Sequence, residues 1–334
     1  GGSTSIRRTW EPLRVAGATA KAMLVAAAAA RWNLAASDCA TDSGFVINKV
    51  NGKKLSYGEL AEDASKLPVP RDVNLKDPKD YKIIGKNVHR LDTPSKISGE
   101  ALFGTDHTLP GMYHATICHF PAFGGGIKTF DATRTKALRG VIDVAVISTG
   151  IAVVAESTWL AFKGKELLSV EWDPGLNANV SSESIHMMMA EKLNGPAELL
   201  TRVGSPAIPQ KSEQVIEAVY QTPFLAHATM EPMNCLAHFK DGKVELWAPT
   251  QNPQGAQAAV AKALGMKEED VTVYVTFIGG GFGRRIDVDY AVEAAEISRH
   301  TGRPIKLTWT REEDIKHDFY RPSSLHQLQG IVDE

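Results

Sequence analysis

The sequence predicts an α+β fold, on three observations. A long alanine-rich helical stretch stands near the start, β-rich segments cluster between residues 95 and 174 with two helices among them, and a strand, glycine loop, helix and strand follow one another from Val271 to Thr310. Strands grouped apart from helices, rather than alternating with them throughout, mark segregated architecture. At 334 residues the chain has room for two or three domains.

Taken in order, Trp10 to Asn33 is rich in helix formers, with Pro12 in the expected first turn, where a missing N–H costs nothing, and Leu13, Ala16, Ala20, Met23 and Leu24 at helical spacing. The apolar run Ala22 to Trp32 is bounded by Lys21 and Arg31 and falls short of the ~20 apolar residues of a membrane span. It predicts a packed helix, with no signal or membrane-spanning segment, in a soluble protein of periplasm or cytoplasm. Phe45-Val46-Ile47 and Lys53-Lys54-Leu55 flank Asn51-Gly52, a hairpin signal, and Tyr57 to Lys66 predicts a short helix. Residues 67–94 turn to Pro, Asp and Lys, as a surface connection does.

The predicted organisation is therefore a helix-and-hairpin segment 1–66, a linker 67–94, a β-rich block 95–176, a polar connecting segment 177–214 and a last domain 215–334. In the β-rich block, strands are expected at Tyr113–Cys118, Val144–Ile147, Ile151–Ala155 and Leu168–Trp172, with helices at Asp131–Leu138 and Thr158–Glu166. The methionines 187–189 beside His186 suit adaptable core filling rather than a metal site. In the last domain, strands are expected at Val215–Thr222, Lys243–Ala248 and Pro304–Thr310, and a helix at Asn252–Leu264 closed by Gly265.

Charge excludes some functions. Lys+Arg of 37 against Asp+Glu of 39 leaves a net charge of −2 with no basic block, so no nucleic-acid groove is expected. Three cysteines far apart encode neither a disulfide framework nor an iron–sulfur site, so any redox metal must arrive in a cofactor.

The most informative stretch is Val271 to Ile278, a strand, running into Gly279-Gly280-Gly281-Phe282-Gly283-Arg284-Arg285, with a helix expected over Asp287 to His300. Glycines let backbone approach a ligand, and free N–H groups at a helix start favour anionic or oxygen-rich groups. A phosphate, a pterin or an oxo ligand would suit, and so would a tight turn with no ligand. A dinucleotide fingerprint fails because Ile286 occupies the third glycine position and the nearest acidic candidate, Glu312, lies too far on; a P-loop fails for want of G-K-[ST]. Glu231 either faces a cavity or caps a turn before Pro232, and His227 reads as a core histidine. Arg284 and Arg285 either meet an anion or begin a solvated helix, while Trp309, Phe319 and Tyr320 divide between core packing and an aromatic path.

Several of these motifs, in this order, resemble one family. Pro249-Thr250-Gln251-Asn252-Pro253-Gln254, the GGGFG loop, Gly302-Arg303-Pro304 and Arg311-Glu312-Glu313-Asp314 are similar to the molybdopterin-binding subunits of the xanthine dehydrogenase and aldehyde oxidase family. The segments His227 to Cys235 (HATMEPMNC) and His317 to Pro322 (HDFYRP) resemble its isoquinoline 1-oxidoreductase β-subunit branch. Lys96 to Ala101 and Glu171-Trp172-Asp173 bracket a block that resembles the family's a/b hammerhead domain, flanked by molybdopterin-binding layers.

The resemblance implies a molybdenum hydroxylase that oxidises an aldehyde or N-heteroaromatic carbon with water as oxygen source. Its cofactor would be molybdopterin, in the cytosine dinucleotide form, carrying Mo, with electrons passed to 2Fe-2S clusters on a partner subunit. It implies cofactor binding by Gly280, Gly281, Phe282, Gly283 and Arg284, and by Gly2, Ser3, Thr4 and Ser5 at the dinucleotide end, with Glu231 and Met230 at the substrate pocket and no direct metal ligand. Ile286 replaces the glutamate of purine hydroxylases, which argues against purines. The glutamine-bearing GQ-type loop, the RGFG segment and the catalytic glutamate have no counterpart, so the general base is expected outside this chain, taken as an N-terminal portion whose partners are the remainder of the large subunit, a 2Fe-2S subunit and a cytochrome c subunit. The alternative is a non-catalytic assembly module that binds a partner without cofactor.

Overall fold

The computed structural model describes residues 2–204 and 215–331; the end of the expected connecting segment, 205–214, and the last residues, 332–334, lie outside them. Two compact units meet in sequence at Pro94 and Ser95.

The first unit opens with helix α1 (Ser5–Trp32), followed by strands β1 (Cys39–Asp42), β2 (Phe45–Asn48) and β3 (Lys54–Ser56) in one antiparallel sheet, then helix α2 (Tyr57–Ser65). α1 begins five residues before the expected start at Trp10, so Pro12 sits inside it rather than in its first turn. Asn33 closes it in the left-handed conformation at φ 54°, its N–H returning to Ala29 and Ala30. At its C-terminal end Ala27, Ala28 and Ala29 bury against Cys39, Val46, Leu60 and Ala64, where small side chains let the helix lie close to the sheet. α2 begins with a full capping box between Ser56 and Glu59.

The helix that holds the apolar Ala22–Trp32 run is longer than that run. α1 runs for 28 residues and is long and apolar enough to cross a membrane by length and composition, with 17% of its most apolar window buried. Lys21, which bounds the Ala22–Trp32 run, lies inside this helix.

A short helix, α3 (Thr93–Ser98), leads to strand β4 (Tyr113–His119), β5 (Gly126–Asp131), helix α4 (Thr133–Lys136), β6 (Val141–Ile147), β7 (Gly150–Ala155), helix α5 (Thr158–Glu166), β8 (Ser169–Asp173) and helix α6 (Ser182–Leu193). Beyond the undescribed residues come β9 (Val215–Thr222), β10 (Asn234–Lys240), β11 (Lys243–Ala248), helix α7 (Pro253–Leu264), β12 (Val271–Val275), helix α8 (Asp289–Thr301), β13 (Ile305–Thr308), helix α9 (Arg311–Lys316) and β14 (Ser324–Ile331).

Seven of these strands form one sheet in the order β12-β11-β10-β13-β4-β7-β6, while β9 pairs β14 and β5 pairs β8 as separate ribbons. β13 runs parallel to β4, Ile305 opposite Tyr113, so strands from the 95–176 block and the 215–334 domain share a hydrogen-bonded sheet. α8 lays Tyr290, Ala291, Ala294, Ala295 and Ile297 into the main core with Val260, Ala261 and Leu264 of α7. Val144, Ile151 and Val153 gather a second core with Ile127, Val170 and Trp172 of the β5/β8 ribbon.

A buried charged cluster ties β4 to α8 and α9. His119 lies between Glu293 and Glu313, its Nε2 2.9 Å from Glu293 Oε1 and its Nδ1 2.8 Å from Glu313 Oε2. The Trp309 indole N–H donates to Glu293 Oε2 at 2.8 Å, and Lys165 of α5 pairs with Glu313. Burial works against charge on His119, but the two carboxylates outweigh it and raise its pKa to about 9. His317 stacks on the same ring at 4.2 Å, and burial and then the charge of His119 push it down to about 4.

Candidate functional site

The glycine loop hangs between two other segments, and their side chains explain its shape. Glu231 donates its N–H to the carbonyl of Gly279 at 3.0 Å, and its Oε2 accepts the N–H of Gly279 at 2.8 Å. Arg285, fully buried, fans its guanidinium over the carbonyls of Gly280 (2.9 Å), Pro249 (3.2 Å), Glu231 (2.7 Å) and Pro232 (3.3 Å), and pairs with Glu231 Oε2 at 3.3 Å. From the third segment, Gln251 Oε1 accepts the N–H of Gly283 at 3.1 Å, and the carbonyl of Arg285 accepts from the Gln251 N–H at 2.9 Å. A buried arginine so surrounded by acceptors is a clamp rather than a ligand group.

Each glycine has its own reason. A Cβ on Gly279 would stand 2.4 Å from Cβ of Glu231, and one on Gly281 would stand 2.6 Å from Gln251 Oε1. Gly280 and Gly283 have φ of 103° and 105°, closed to L side chains at low cost. Phe282 itself is held at φ 53° with its ring 65% exposed, a strained non-glycine at the loop tip. The positive-φ positions of the loop are therefore 280, 282 and 283, not Gly281, and of these only Phe282 bears strain.

What the loop leaves open is a row of donors. Among the described residues the backbone N–H groups of Gly280, Gly281 and Phe282 make no hydrogen bond. Consecutive unpaired amides on a glycine backbone form a cradle for oxygen or other electron-rich atoms. The oxygen- and sulfur-rich face of a molybdopterin fits that donor set, and no side chain other than Phe282 stands on the cradle's own backbone from 279 to 283.

The other expected site residues fall in different places. Glu231 is 9% exposed, and its Oε1 accepts from Thr105 N–H (3.2 Å) and Asn234 Nδ2 (3.1 Å), so the carboxylate expected at a substrate pocket is turned inward to hold the loop. Met230, expected at the substrate pocket, is 87% exposed, and its carbonyl accepts from Arg311. Arg284, expected beside the anion, is 1% exposed and doubly bonded to Asp289 at 3.0 and 2.8 Å, with Asp318 3.1 Å from Nε. Its plane faces Phe319 and Trp309 at 5.1 and 5.5 Å. Both adjacent arginines are thus internal, because each finds fixed acceptors that water would otherwise supply. The expected helix start at Asp287 is also displaced: a 3-10 turn, Arg284–Ile286, precedes α8, so the loop does not run straight into a helix N-terminus.

Gly2, Ser3, Thr4 and Ser5 stand at the start of α1, in the first unit, with Gly2 and Ser3 at φ 69° and 50°. Sequence reading missed Asp318 and Gln251 as working residues. Asp318 lies 1% exposed within 3.0 Å of His227 Nδ1 and accepts the His227 backbone N–H. Two neighbouring arginines amid apolar sequence were the available signal, since burying them demands carboxylates from elsewhere in the chain.

Comparison with known proteins meets this geometry. Residues 194–330 match the molybdopterin cofactor-binding domain. The isoquinoline 1-oxidoreductase subunit β of Brevundimonas diminuta is 27% identical over 371 residues, covering 97% of this chain and 47% of the relative. The chain is thus similar to molybdopterin-binding subunits of oxidoreductases. A second relative, named membrane-bound aldehyde dehydrogenase [pyrroloquinoline-quinone] in Gluconacetobacter polyoxogenes, is 29% identical over all of this chain and 45% of its own length. The aldehyde oxidoreductase of Desulfovibrio gigas shares the fold at a TM-score of 0.57 and 16% identity, over 73% of this chain and 32% of that one. The chain thus spans less than half the length of the two curated relatives.

Proposed function

We propose that the chain forms part of the large subunit of a molybdenum hydroxylase that oxidises an aldehyde or N-heteroaromatic carbon, with water as the oxygen source. The observation that carries this reading is the row of unpaired amides from Gly280 to Phe282, clamped by Glu231 and Arg285 inside the stretch that matches a molybdopterin cofactor-binding domain. When bound, the cofactor, molybdopterin in its cytosine dinucleotide form with Mo, supplies the two-electron oxidation and the oxygen transfer.

The chain's own residues bind and orient. The amides of Gly280, Gly281 and Phe282 hold electron-rich atoms of the cofactor, and the ring of Phe282 gives an apolar wall against which a flat substrate lies. Glu231 does not act as base, since its oxygens already accept from Gly279, Thr105 and Asn234 and neutralise Arg285. The general base is assigned to another part of the enzyme. Gly2, Ser3, Thr4 and Ser5 are assigned to the dinucleotide end, and residues 95–176 to the hammerhead domain, flanked by molybdopterin-binding segments at 1–66 and 215–334. Electrons leave to 2Fe-2S clusters on a partner subunit, with a cytochrome c subunit beyond.

Metal analysis of the enzyme as isolated from cells tests the reading. Molybdenum near one atom per chain, with an equivalent of pterin released by acid, is the expected result. Neither in the purified assembly would leave an assembly module without cofactor.

A further inference from the structure

His227 has one ring nitrogen engaged and one free, and the free one faces the glycine loop. Its Nδ1 lies 3.0 and 3.1 Å from the two oxygens of Asp318, and the ring is 11% exposed against 1% for the carboxylate. Asp318 can only accept, so the hydrogen sits on Nδ1, and in the neutral ring Nε2 presents a lone pair. Arg284 stands 3.1 Å from the same carboxylate and is itself fixed by Asp289, which holds the Asp318 charge in place and keeps the imidazole oriented. Among the described residues Nε2 has no hydrogen-bond partner, and a methyl group on Gly283 would come within 3.7 Å of it. The three open amides of the loop are donors, so this lone pair adds an acceptor beside a cradle that otherwise offers only N–H groups.

We propose that His227 is a positioning residue of the site, its Nε2 accepting a hydrogen bond from an N–H or O–H of the molecule that the loop holds. This deepens the cofactor reading above and rests on it. The donor belongs either to the pterin of the cofactor or to the substrate beside it, and both present the same chemistry to the ring. A core histidine that merely fills space would need neither a buried carboxylate on Nδ1 nor an open Nε2.

Two polar variants separate the nitrogens. His227→Asn keeps an amide donor near Nδ1 for Asp318 and removes everything at Nε2, while His227→Gln extends an amide to the Nε2 place. Both are prepared in the enzyme as isolated from cells, with melting temperature, released pterin and molybdenum per chain, and KM and kcat for an aromatic aldehyde as readouts. With the donor on the pterin, His227→Asn releases pterin about tenfold more readily than wild type at an unchanged melting temperature, and His227→Gln restores retention. With the donor on the substrate, pterin stays and KM rises about tenfold in His227→Asn but not in His227→Gln. The proposal is overturned if His227→Asn matches wild type in both retention and KM, or if both variants lose melting temperature and pterin together. Wild-type enzyme free of molybdenum and pterin would instead remove the cofactor reading and this inference with it.

Discussion

Glu231 and Gly279 exchange hydrogen bonds in both directions: the Gly279 N–H donates to Glu231 Oε2 at 2.8 Å, and the Glu231 N–H donates back to the Gly279 carbonyl at 3.0 Å. With Arg285 on the same carboxylate, one side chain fixes the start of the loop. Glu231→Ala leaves the Arg285 guanidinium with carbonyl partners only and an uncompensated buried charge, and should destabilise the fold by about 3 kcal/mol. Glu231→Gln, which keeps an acceptor, should cost about half as much. Chemical denaturation of both variants checks the ordering, and equal losses would show that the retained acceptor contributes nothing and the lost charge accounts for the whole effect.

The loop glycines should respond differently because their constraints differ. An Ala at 281 meets the tip of Gln251, an exposed and flexible side chain, and should cost below about 1 kcal/mol, chiefly the lost bond to the Gly283 N–H. An Ala at 283 must take φ near 105° and should cost about 1–3 kcal/mol whatever Gln251 does. In a Gln251→Ala background the 281 substitution should become nearly silent while the 283 substitution keeps its cost. A double-mutant cycle measured by denaturation reads this directly.

The His119 cluster makes stability depend on alkaline pH. Its folded pKa of about 9 is above the ordinary imidazole value, so its contribution is fully present below about pH 6.5 and is lost as pH rises through 9. Lys306, buried and lowered to about 8, acts in the opposite sense over about pH 8 to 10.5. Comparison with His119→Gln isolates the histidine, because Lys306 is common to both proteins. The stability difference between wild type and His119→Gln should shrink, on the order of 2 kcal/mol, between pH 6.5 and 9. A constant difference across that window would mean that the ring is neutral between its two carboxylates.

Much of the secondary structure could be read from local pattern. The helices at Tyr57–Ser65 and Pro253–Leu264 carry caps written in adjacent residues, Ser56 with Glu59 and Asn252 with Gly265, and fall where expected. The β1 strand escaped notice because Cys39–Asp42 has no apolar alternation and exists through its pairing with β2. Long-range pairing was equally hidden: nothing near Ile305 specifies that it lies beside Tyr113. At the site, the loop and its glycines were legible, but the direction of each charged side chain was not. Whether Arg284, Arg285 and Glu231 face outward or inward is decided by Asp289, Asp318 and the Pro249 and Pro232 carbonyls, which only the folded chain brings together.

Phe282 offers a test that separates stability from function. It occupies the left-handed region at φ 53° with its ring largely in solvent, so the fold gains little from the side chain and bears the strain of holding it. Replacing it by glycine removes a strain of about 1–3 kcal/mol and costs about 0.5–1 kcal/mol in unfolded-chain entropy. Phe282→Gly should therefore melt at or above the wild-type temperature. If the ring is the apolar wall of the site, the same variant should retain molybdenum and raise KM for an aromatic substrate by roughly tenfold, and Phe282→Leu should fall between the two. A variant that is as stable as wild type and equally active would leave the strained phenylalanine without a role at the loop, and the substrate would have to lie elsewhere.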